Sequence, residues 1–470
     1  MALTPRLSGQ VAARAHHSRA ARFVKRVAPF FAMGEVSGGP LLIASLVALV
    51  LVNSPLGAGY ERIWDTDLRF SYGGEIIAMP LAEWVNDALM PLFFLIIGTE
   101  VKREFSKGSL ASVKTAVLPV AGAIGGLVVP IAIYLAFNLG KPTQHGWGVV
   151  AAMDTAFSLA IVAMFTTRLP PAVRAVLLAF AAIDDVFGLL VIAIAYTETL
   201  SVAFLLLAAA GYVGILALLR LGWVASIAYV LVGCAVWIGV LGSGVHPTIA
   251  GVAIGLLLPT RSRLSEQRFV ERVQRPVERL RRAQQVATTA DDEAAAERGR
   301  DEAQSQLGYI HEMAAATDEP AERLVRILTP WVSYLVLPLF ALSNVRIHLS
   351  VELIGEALRS PLALGIVAGL VIGKPVGFFA ATWAAVAIGA ARLPEGVTWR
   401  MIVGIGAVAG IGFTISLFIA ELAFAGSTGT EIAALAILSA SLIAGLFGYA
   451  TLWSAAPTTG GTDQVASATE

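Results

Sequence analysis

Long stretches without Asp, Glu, Lys or Arg recur along this 470-residue chain, at 115–140, 221–260, 327–345, 401–420 and 432–462. A helix needs about 20 apolar residues to cross the hydrocarbon core of a bilayer. Charged residues make up 14% of the chain, whereas a soluble domain carries about 25%. A membrane β-barrel would instead show short alternating segments. The sequence therefore predicts an all-α polytopic membrane protein.

Charge and cysteine content exclude other classes. The formal net charge is zero, so nothing indicates a nucleic-acid partner. The single cysteine, Cys234, cannot form an intramolecular disulfide. Residues 1–35 are basic and precede the apolar run 38–52, a pattern that also fits a cleaved signal peptide. The many later spans favour a retained first helix behind a cytoplasmic N-terminal segment.

The apolar pattern predicts about twelve transmembrane helices, at 38–54, 82–104, 113–138, 147–166, 171–196, 199–219, 223–241, 247–259, 327–345, 361–389, 399–421 and 431–454. Helices one to eight fall in residues 36–260 and helices nine to twelve in 326–455. The connections after even-numbered spans carry most of the Lys and Arg residues, which places them and both termini in the cytoplasm. Residues 456–470 are then a cytoplasmic tail.

Two polar segments interrupt the spans. Residues 59–80 alternate apolar and polar side chains around Gly73 and Gly74, which predicts a hairpin on the outer face. Residues 261–325 carry charges of both signs and are rich in Ala, Glu, Gln and Arg, which predicts a solvated helical insertion on the cytoplasmic side, interrupted at Pro276. This insertion lacks an apolar stripe, so its residues 276–320 are predicted to be dispensable for transport.

Few ionisable side chains remain at membrane depth: Asp87, Asp154, Asp184, Asp185 and Lys374, with His246 near a span end. A central Asp or Lys costs at least ~2.5–3.5 kcal/mol on insertion scales, so such residues usually face a bundle interior or an aqueous pathway. The plainer alternative is an Asp–Lys pair that only ties helices together.

The depth of these groups follows from the helix rise of about 1.5 Å per residue. Asp154, Asp184 and Asp185 should lie at one level, roughly 10 Å from the outer surface of a core about 30 Å thick. Adjacent helix residues diverge by about 100°, so Asp184 and Asp185 cannot both face one partner. Lys374 is the only cation available at that depth.

Crowded carboxylates at low dielectric hold protons more tightly, and a hard cation such as Na⁺ can supply the missing positive charge through oxygen ligands. Protons and the cation then compete for one site, which is the physical basis of antiport. The segments 145–160 and 404–418 are broken by Gly and Thr at membrane depth. Interrupted spans in corresponding halves of a transporter indicate its binding site, although Gly in membrane helices also serves close packing.

Seven segments in order carry a family resemblance: "PLFFLIIGTEVKREF" (91–105), "AAMDTAFSLA" (151–160), "AAIDDVFGLL" (181–190), "GSGVHPTIAGVAIG" (242–255), "LPLFALSNV" (337–345), "LVIGKPVGFF" (370–379) and "LPEGVTWRMIVGIGAVAGIGFTISLFIAELAF" (393–424). Together they resemble the NhaA-type sodium/proton antiporters over roughly residues 36–455, apart from the insertion.

The resemblance implies inverted repeats in which the fourth and eleventh helices are interrupted and cross. It implies that Asp185 is the main Na⁺/Li⁺ ligand and proton carrier, and that Asp184 pairs with Lys374 in the ion-free state. Asp154 matches the aspartate at the broken fourth helix. The bound Na⁺ would then be held by Asp184 and Asp185. Asp154 is a third candidate ligand.

The resemblance also implies a pH response through Glu100, Arg103, Glu104 and His246. The alternatives are an ion-paired helix end for the first three and a structural helix start for His246, although a histidine titrates near pH ~6.5. The same likeness implies a homodimer formed through the outer hairpin and a location in the bacterial plasma membrane. It also implies that Na⁺, Li⁺ and H⁺ are the substrates and that no cofactor is needed.

The sequence departs from the family at two places. Met153 stands where Thr is common, which removes a side-chain oxygen, and the loop after the eighth span is far longer than usual. Two other functions require features that this sequence lacks. A sodium-coupled organic-anion symporter would need a second deep cation besides Lys374, and an intramembrane aspartyl protease would need Tyr-Asp and Gly-x-Gly-Asp contexts that Asp154 and Asp184 lack. The sequence thus predicts an electrogenic sodium/proton antiporter and no enzyme.

Overall fold

The computed structural model describes residues 38–456, except 73–74, 198–199, 222–225, 261, 263–265, 290–291 and 318. The predicted basic segment 1–35, nearly all of the tail 456–470 and the hairpin turn at Gly73 and Gly74 lie outside the described residues.

Helices form most of the described chain. Before the insertion they are α1 (Gly38–Val52), α2 (Gly57–Trp64), α3 (Leu81–Lys107), α4 (Val113–Asn138), a 3₁₀ segment (Pro142–Val150) followed by α5 (Thr155–Ala163), α6 (Pro171–Ala195), α7 (Val202–Leu221), α8 (Ser226–Leu241) and α9 (Thr248–Leu257). The insertion holds α10 (Glu266–Thr289) and α11 (Glu293–Thr317). After it come α12 (Pro320–Asn344), α13 (Val351–Ala357), α14 (Pro361–Ala387), α15 (Trp399–Val408), α16 (Phe413–Phe424) and α17 (Thr428–Ala455). The described strands are β1 (Asp67–Tyr72) and β2 (Glu75–Pro80).

The helices match the predicted spans in order. In the described part of the chain, 8 helices are long and apolar enough to cross a membrane, and the pair α15 and α16, bent by 44°, makes a ninth. The three remaining predicted spans correspond to the shorter apolar helices α1, α8 and α9. The chain is therefore an all-α polytopic membrane protein, as the sequence predicts.

Glycines set the closest helix contacts in the bundle. A Cβ at Gly125 of α4 would lie 2.1 Å from the carbonyl oxygen of Gly377 on α14, and the converse distance is also 2.1 Å. Only a residue without a side chain allows two backbones to approach so closely, which is how membrane helices gain packing contacts. This contact places α14, and with it Lys374, directly against α4.

The segment 59–80 is only partly the predicted hairpin. β1 and β2 pair antiparallel from Asp67 opposite Pro80 to Tyr72 opposite Glu75. The residues before the two strands form α2. Tyr60 and Trp64 stand one helical turn apart in this helix, and their rings pack edge to face, which stabilises it. The Tyr60 hydroxyl also donates to the carbonyl of Leu342, which fixes α2 to α12.

The insertion is a pair of helices whose limits differ from the sequence prediction. Pro276 does not interrupt α10, which continues on both sides of it. A proline inside a helix removes one backbone hydrogen bond, and packing of α10 against α11 compensates for that loss: a Cβ at Gly299 would lie 2.6 Å from the backbone nitrogen of Ala287. The ninth span begins at Pro320, earlier than the predicted 327, because proline suits the first turn of a helix.

Among the described residues, the membrane helices contain three π-helical turns, each of which ends two residues before a proline: Val85–Leu89, Val332–Val336 and Gly369–Gly373. Proline lacks the N–H that would close the regular helical turn, and a π turn accommodates that loss. The third one ends immediately before Lys374 and Pro375. Lys374 therefore leaves α14 at a local irregularity of the backbone.

Candidate functional site

The two interrupted spans meet at their breaks. Between the 3₁₀ segment and α5, residues 151–154 are non-helical, and residues 409–412 separate α15 from α16. The backbone N–H of Asp154 donates to the carbonyl of Ile411 at 2.6 Å. The hydroxyl of Ser158 donates to the carbonyl of Val408 at 2.8 Å, and that of Ser416 to the carbonyl of Val149 at 2.7 Å. Each break thus satisfies backbone groups of the other, as non-helical backbone at membrane depth requires.

Asp154 joins the first turns of α5 and α16. One carboxylate oxygen accepts from the backbone N–H of Phe157 at 3.2 Å, which makes Asp154 the N-cap of α5. The other accepts from Thr414, at 3.1 Å from its backbone nitrogen and 2.6 Å from its hydroxyl. Helix N-termini carry a partial positive charge. The two helix ends therefore stabilise negative charge on Asp154 without a cationic side chain.

Asp184 and Lys374 form a fully buried ion pair. Lys374 Nζ lies 2.6 Å from Asp184 Oδ1, and both side chains are 0% exposed. Lys374 also donates to the carbonyl of Ala151 at 2.7 Å, and the N–H of Met153 donates to the other oxygen of Asp184 at 2.7 Å. The pair thus links α6 and α14 to the break before α5.

Asp185 has a different environment from its neighbour. One carboxylate oxygen accepts from the hydroxyl of Thr155 at 3.3 Å. The other, Oδ1, is buried and has no hydrogen-bond partner among the described residues, and the whole residue is 5% exposed. The predicted divergence of adjacent helix residues accounts for the contrast, because Asp184 faces Lys374 and Asp185 faces Thr155.

Sequence reasoning missed several polar groups of this site. Thr155 and Thr414 lie inside segments singled out for their aspartate and their glycines, but nothing distinguished them from other membrane threonines. The backbone carbonyl of Ala151 and N–H of Met153 carry no sequence signal at all. Met153 offers no side-chain oxygen, but its backbone N–H donates a hydrogen bond to Asp184.

The carboxylates do not form a closed metal cage. In the described part of the chain, no group of three or more His, Cys, Asp or Glu side chains is arranged to hold a metal ion. A cation at Asp185 would therefore complete its shell with hydroxyl, carbonyl or water oxygens, which hard cations accept.

Glu100, Arg103 and Glu104 lie at the C-terminal end of α3. Glu100 and Arg103 line a small pocket together with Glu319 and Glu322, which lie where the insertion leads into α12. Glu104 accepts from the backbone N–H of Ser109 at 2.7 Å, and the nearby Lys107 forms an ion pair with Glu319. Glu100 also lies within electrostatic range of Asp185.

His246 lies in a separate group from these glutamates. Its Nδ1 is 3.0 Å from the hydroxyl of Thr248, its Nε2 is 3.6 Å from Asp87, and its ring meets Phe418 edge to face. The structure pairs Asp87 with His246 and, through its backbone carbonyl, with Trp237 at 2.5 Å.

Comparison with known proteins decides the family. The model of the family described as Na⁺/H⁺ antiporter 1 matches residues 28–452. The chain belongs to the Na⁺/H⁺ antiporter 1 family. It is 42% identical to the Na(+)/H(+) antiporter NhaA 2 of Sorangium cellulosum over 90% of this chain and 88% of that protein. It is 40% identical to the Na(+)/H(+) antiporter NhaA of Oleidesulfovibrio alaskensis, over 90% and 93% respectively.

Membership of the Na⁺/H⁺ antiporter 1 family agrees with the resemblance seen in the sequence. As a member of this family, the chain is a multi-pass membrane transporter. Sodium/proton antiport is the activity that the family supports.

Proposed function

We propose that this chain exchanges Na⁺ or Li⁺ for protons electrogenically, and that Asp185 is the group that the two cargoes share. One observation carries this proposal: the buried Oδ1 of Asp185 has no partner among the described residues, whereas Asp184 beside it is paired with Lys374. A buried carboxylate without a counter-charge is costly. Either a proton or a cation removes that cost, so the two compete.

The Asp184–Lys374 pair gives the exchange its stoichiometry. In the proton-loaded form, Asp185 is neutral and Lys374 carries the proton that balances Asp184. When Na⁺ binds to the two carboxylates, Asp185 and Lys374 each release a proton. Two protons thus replace one Na⁺, and each cycle moves one net positive charge in the direction of the protons.

The remaining features of the proposal rest on the family and on the charge pattern. Na⁺ export with proton uptake would serve sodium and pH homeostasis in a bacterial plasma membrane. Both termini and the insertion would lie in the cytoplasm, because most loop cations fall on that side. A homodimer would form through β1 and β2, whose outer edges are not paired with other described strands.

The test measures proton movement in inside-out vesicles after addition of Na⁺, Li⁺ or K⁺, with parent protein and with Asp185→Asn. The parent should move protons with Na⁺ and Li⁺. Asp185→Asn should give none while reaching the membrane in the same amount, because an amide neither binds a proton at neutral pH nor balances a cation.

A matched variant, Asp292→Asn, removes a carboxylate in the insertion and should behave like the parent. Na⁺-driven proton movement by Asp185→Asn would contradict the assignment of the site. Proton movement that required an organic anion would instead favour a symporter.

A further inference from the structure

The helical insertion carries a face of arginines that the exchange reaction does not use. Five arginines of α10 follow one another at intervals of four, three, four and three residues: Arg268, Arg272, Arg275, Arg279 and Arg282. At about 100° per residue, this spacing places all five within roughly 40° of one line along the helix. We define these five residues as the arginine face.

The arginine face is exposed. All five residues are exposed to solvent, and Arg272, Arg275, Arg279 and Arg282 form no ion pair with a residue that the structure describes. Val286, one further interval along the same line, is also exposed, at 47%. The face therefore ends with an apolar side chain beside the charges.

Another side of α10 is already occupied by α11. Pro276 and Ala283 are buried. A Cβ at Gly299 of α11 would lie 2.6 Å from the backbone nitrogen of Ala287 and 2.9 Å from the carbonyl of Ala283. Pro276, Ala283 and Ala287 lie roughly 60–100° from the centre line of the arginine face. The packing between the two helices thus leaves the arginines uncovered.

The charge of the insertion is divided between its two helices. The α10 sequence has six arginines and three glutamates, whereas α11 has two arginines and five acidic residues. The chain as a whole has no net charge. The excess of positive charge on α10 is therefore local and does not reflect a generally basic protein.

The insertion begins and ends beside the membrane helices. The N–H of Ala321 donates to the carbonyl of Pro259 at 3.3 Å, and Leu258, Ala321 and Leu95 pack in one small apolar cluster. From Leu257 to Glu266 the chain can span at most about 30 Å. Hence α10, itself about 36 Å long, starts within reach of the bilayer surface that surrounds the transporter.

We propose that the arginine face binds the headgroups of anionic phospholipids in the membrane that holds the transporter. Arginine binds phosphate oxygens through two parallel N–H donors. A cluster of arginines next to a membrane helix is attracted to the negative surface potential of the cytoplasmic leaflet. Val286 would enter the boundary between headgroups and acyl chains, as apolar residues of interfacial helices do.

The experiment places an environment-sensitive fluorophore on the arginine face of the full-length chain. Cys234→Ser removes the natural thiol, and Val286→Cys supplies the single labelling position. The labelled protein is reconstituted in vesicles of phosphatidylcholine alone or of phosphatidylcholine with phosphatidylglycerol. The emission should shift to shorter wavelength in the vesicles with phosphatidylglycerol, and high salt should reverse the shift because it screens the charges.

Charge variants test the arginine face itself. Replacing Arg272, Arg275, Arg279 and Arg282 together with Gln should abolish the shift, whereas replacing the same four with Lys should retain most of it. Arg281→Gln removes an exposed arginine that lies off this face and should leave the shift unchanged. All these charge variants should keep the parental melting temperature and the parental rate of Na⁺/H⁺ exchange, because the replaced arginines form no ion pair with a described residue.

Equal emission in neutral and anionic vesicles would overturn the proposal. Retention of the shift by the fourfold Gln variant would also overturn it, since the lipid response would then come from another part of the chain. Loss of the shift in Arg281→Gln as large as in the fourfold Gln variant would show that the response does not belong to the arginine face.

Discussion

Lys374 Nζ lies 2.6 Å from Asp184 Oδ1 inside the bundle, where neither side chain reaches solvent. The carbonyl of Ala151 and the N–H of Met153 complete the shell of this pair. Removing one partner of a buried ion pair leaves an uncompensated charge, which typically costs about 3–5 kcal/mol, whereas removing both can be nearly neutral.

We therefore expect Lys374→Met and Asp184→Asn each to lower the melting temperature of the purified protein, and the double variant to recover most of the loss. Asn at 184 keeps an acceptor for the N–H of Met153. Thermal unfolding in detergent measures this series. Additive losses in the double variant would mean that the two residues stabilise the protein independently.

The contact between Thr414 and Asp154 gives a second expectation. The Thr414 hydroxyl lies 2.6 Å from the carboxylate, and a typical hydrogen bond contributes about 1 kcal/mol. Thr414→Val should raise the Na⁺ concentration needed for half-maximal exchange, because Asp154 loses a donor at the meeting point of the two breaks. Thr414→Ser should keep the parental value.

Thr382 provides the control for this prediction. Its buried hydroxyl donates to the carbonyls of Phe378 and Phe379, at 2.7 and 2.9 Å, within its own helix. Thr382→Val should therefore change stability slightly and leave the Na⁺ dependence unaltered. The same change in Na⁺ dependence in both valine variants would indicate a general packing effect.

The close approach of α4 and α14 predicts a steric effect. A Cβ at Gly377 would lie 2.1 Å from the carbonyl oxygen of Gly125, so Gly377→Ala must push the helices apart and displace Lys374. We expect a lower melting temperature and slower exchange. Gly233→Ala in α8 is the matched change, because no other described segment comes within 4 Å of its added Cβ. Equal melting temperatures for the two variants would argue against the contact.

The insertion should be separable from ion exchange. The range 266–317 contains α10 and α11, and Glu319, which pairs with Lys107, lies beyond it. A short Gly/Ser linker in place of 266–317 should preserve maximal Na⁺/H⁺ exchange and at most shift its pH profile. Loss of exchange at every pH, in a variant that reaches the membrane, would make the insertion part of the transport machinery.

The long apolar runs were sufficient to predict the membrane helices. The rare charges at membrane depth singled out Asp184 and Lys374, whose side chains lie 2.6 Å apart in the structure. The sequence could not predict backbone contacts such as the one between Lys374 and the carbonyl of Ala151, since every residue carries the same carbonyl. It also placed a break at Pro276, where helix packing against α11 outweighs the lost hydrogen bond.

The pairing of His246 with Asp87 shows a further limit of the sequence. Asp87 lies in α3 and His246 just before α9, far apart in the chain, and the packing of α3 against α9 brings them together. The glycines that allow this packing, Gly98 and Gly255, were visible in the sequence. Their role as contact points was not, because glycine serves breaks and packing alike.

The pH dependence of the apparent Na⁺ affinity tests the competition at Asp185 most directly. Transport currents of reconstituted protein on a supported membrane give this affinity at each pH. The ligands must lose protons before a cation binds. When the pH falls by one unit, the apparent Na⁺ affinity should therefore fall by about tenfold for each proton that Na⁺ displaces. The maximal current at saturating Na⁺ should change little. An apparent affinity independent of pH, with only the maximal current changing, would contradict a site shared by protons and Na⁺.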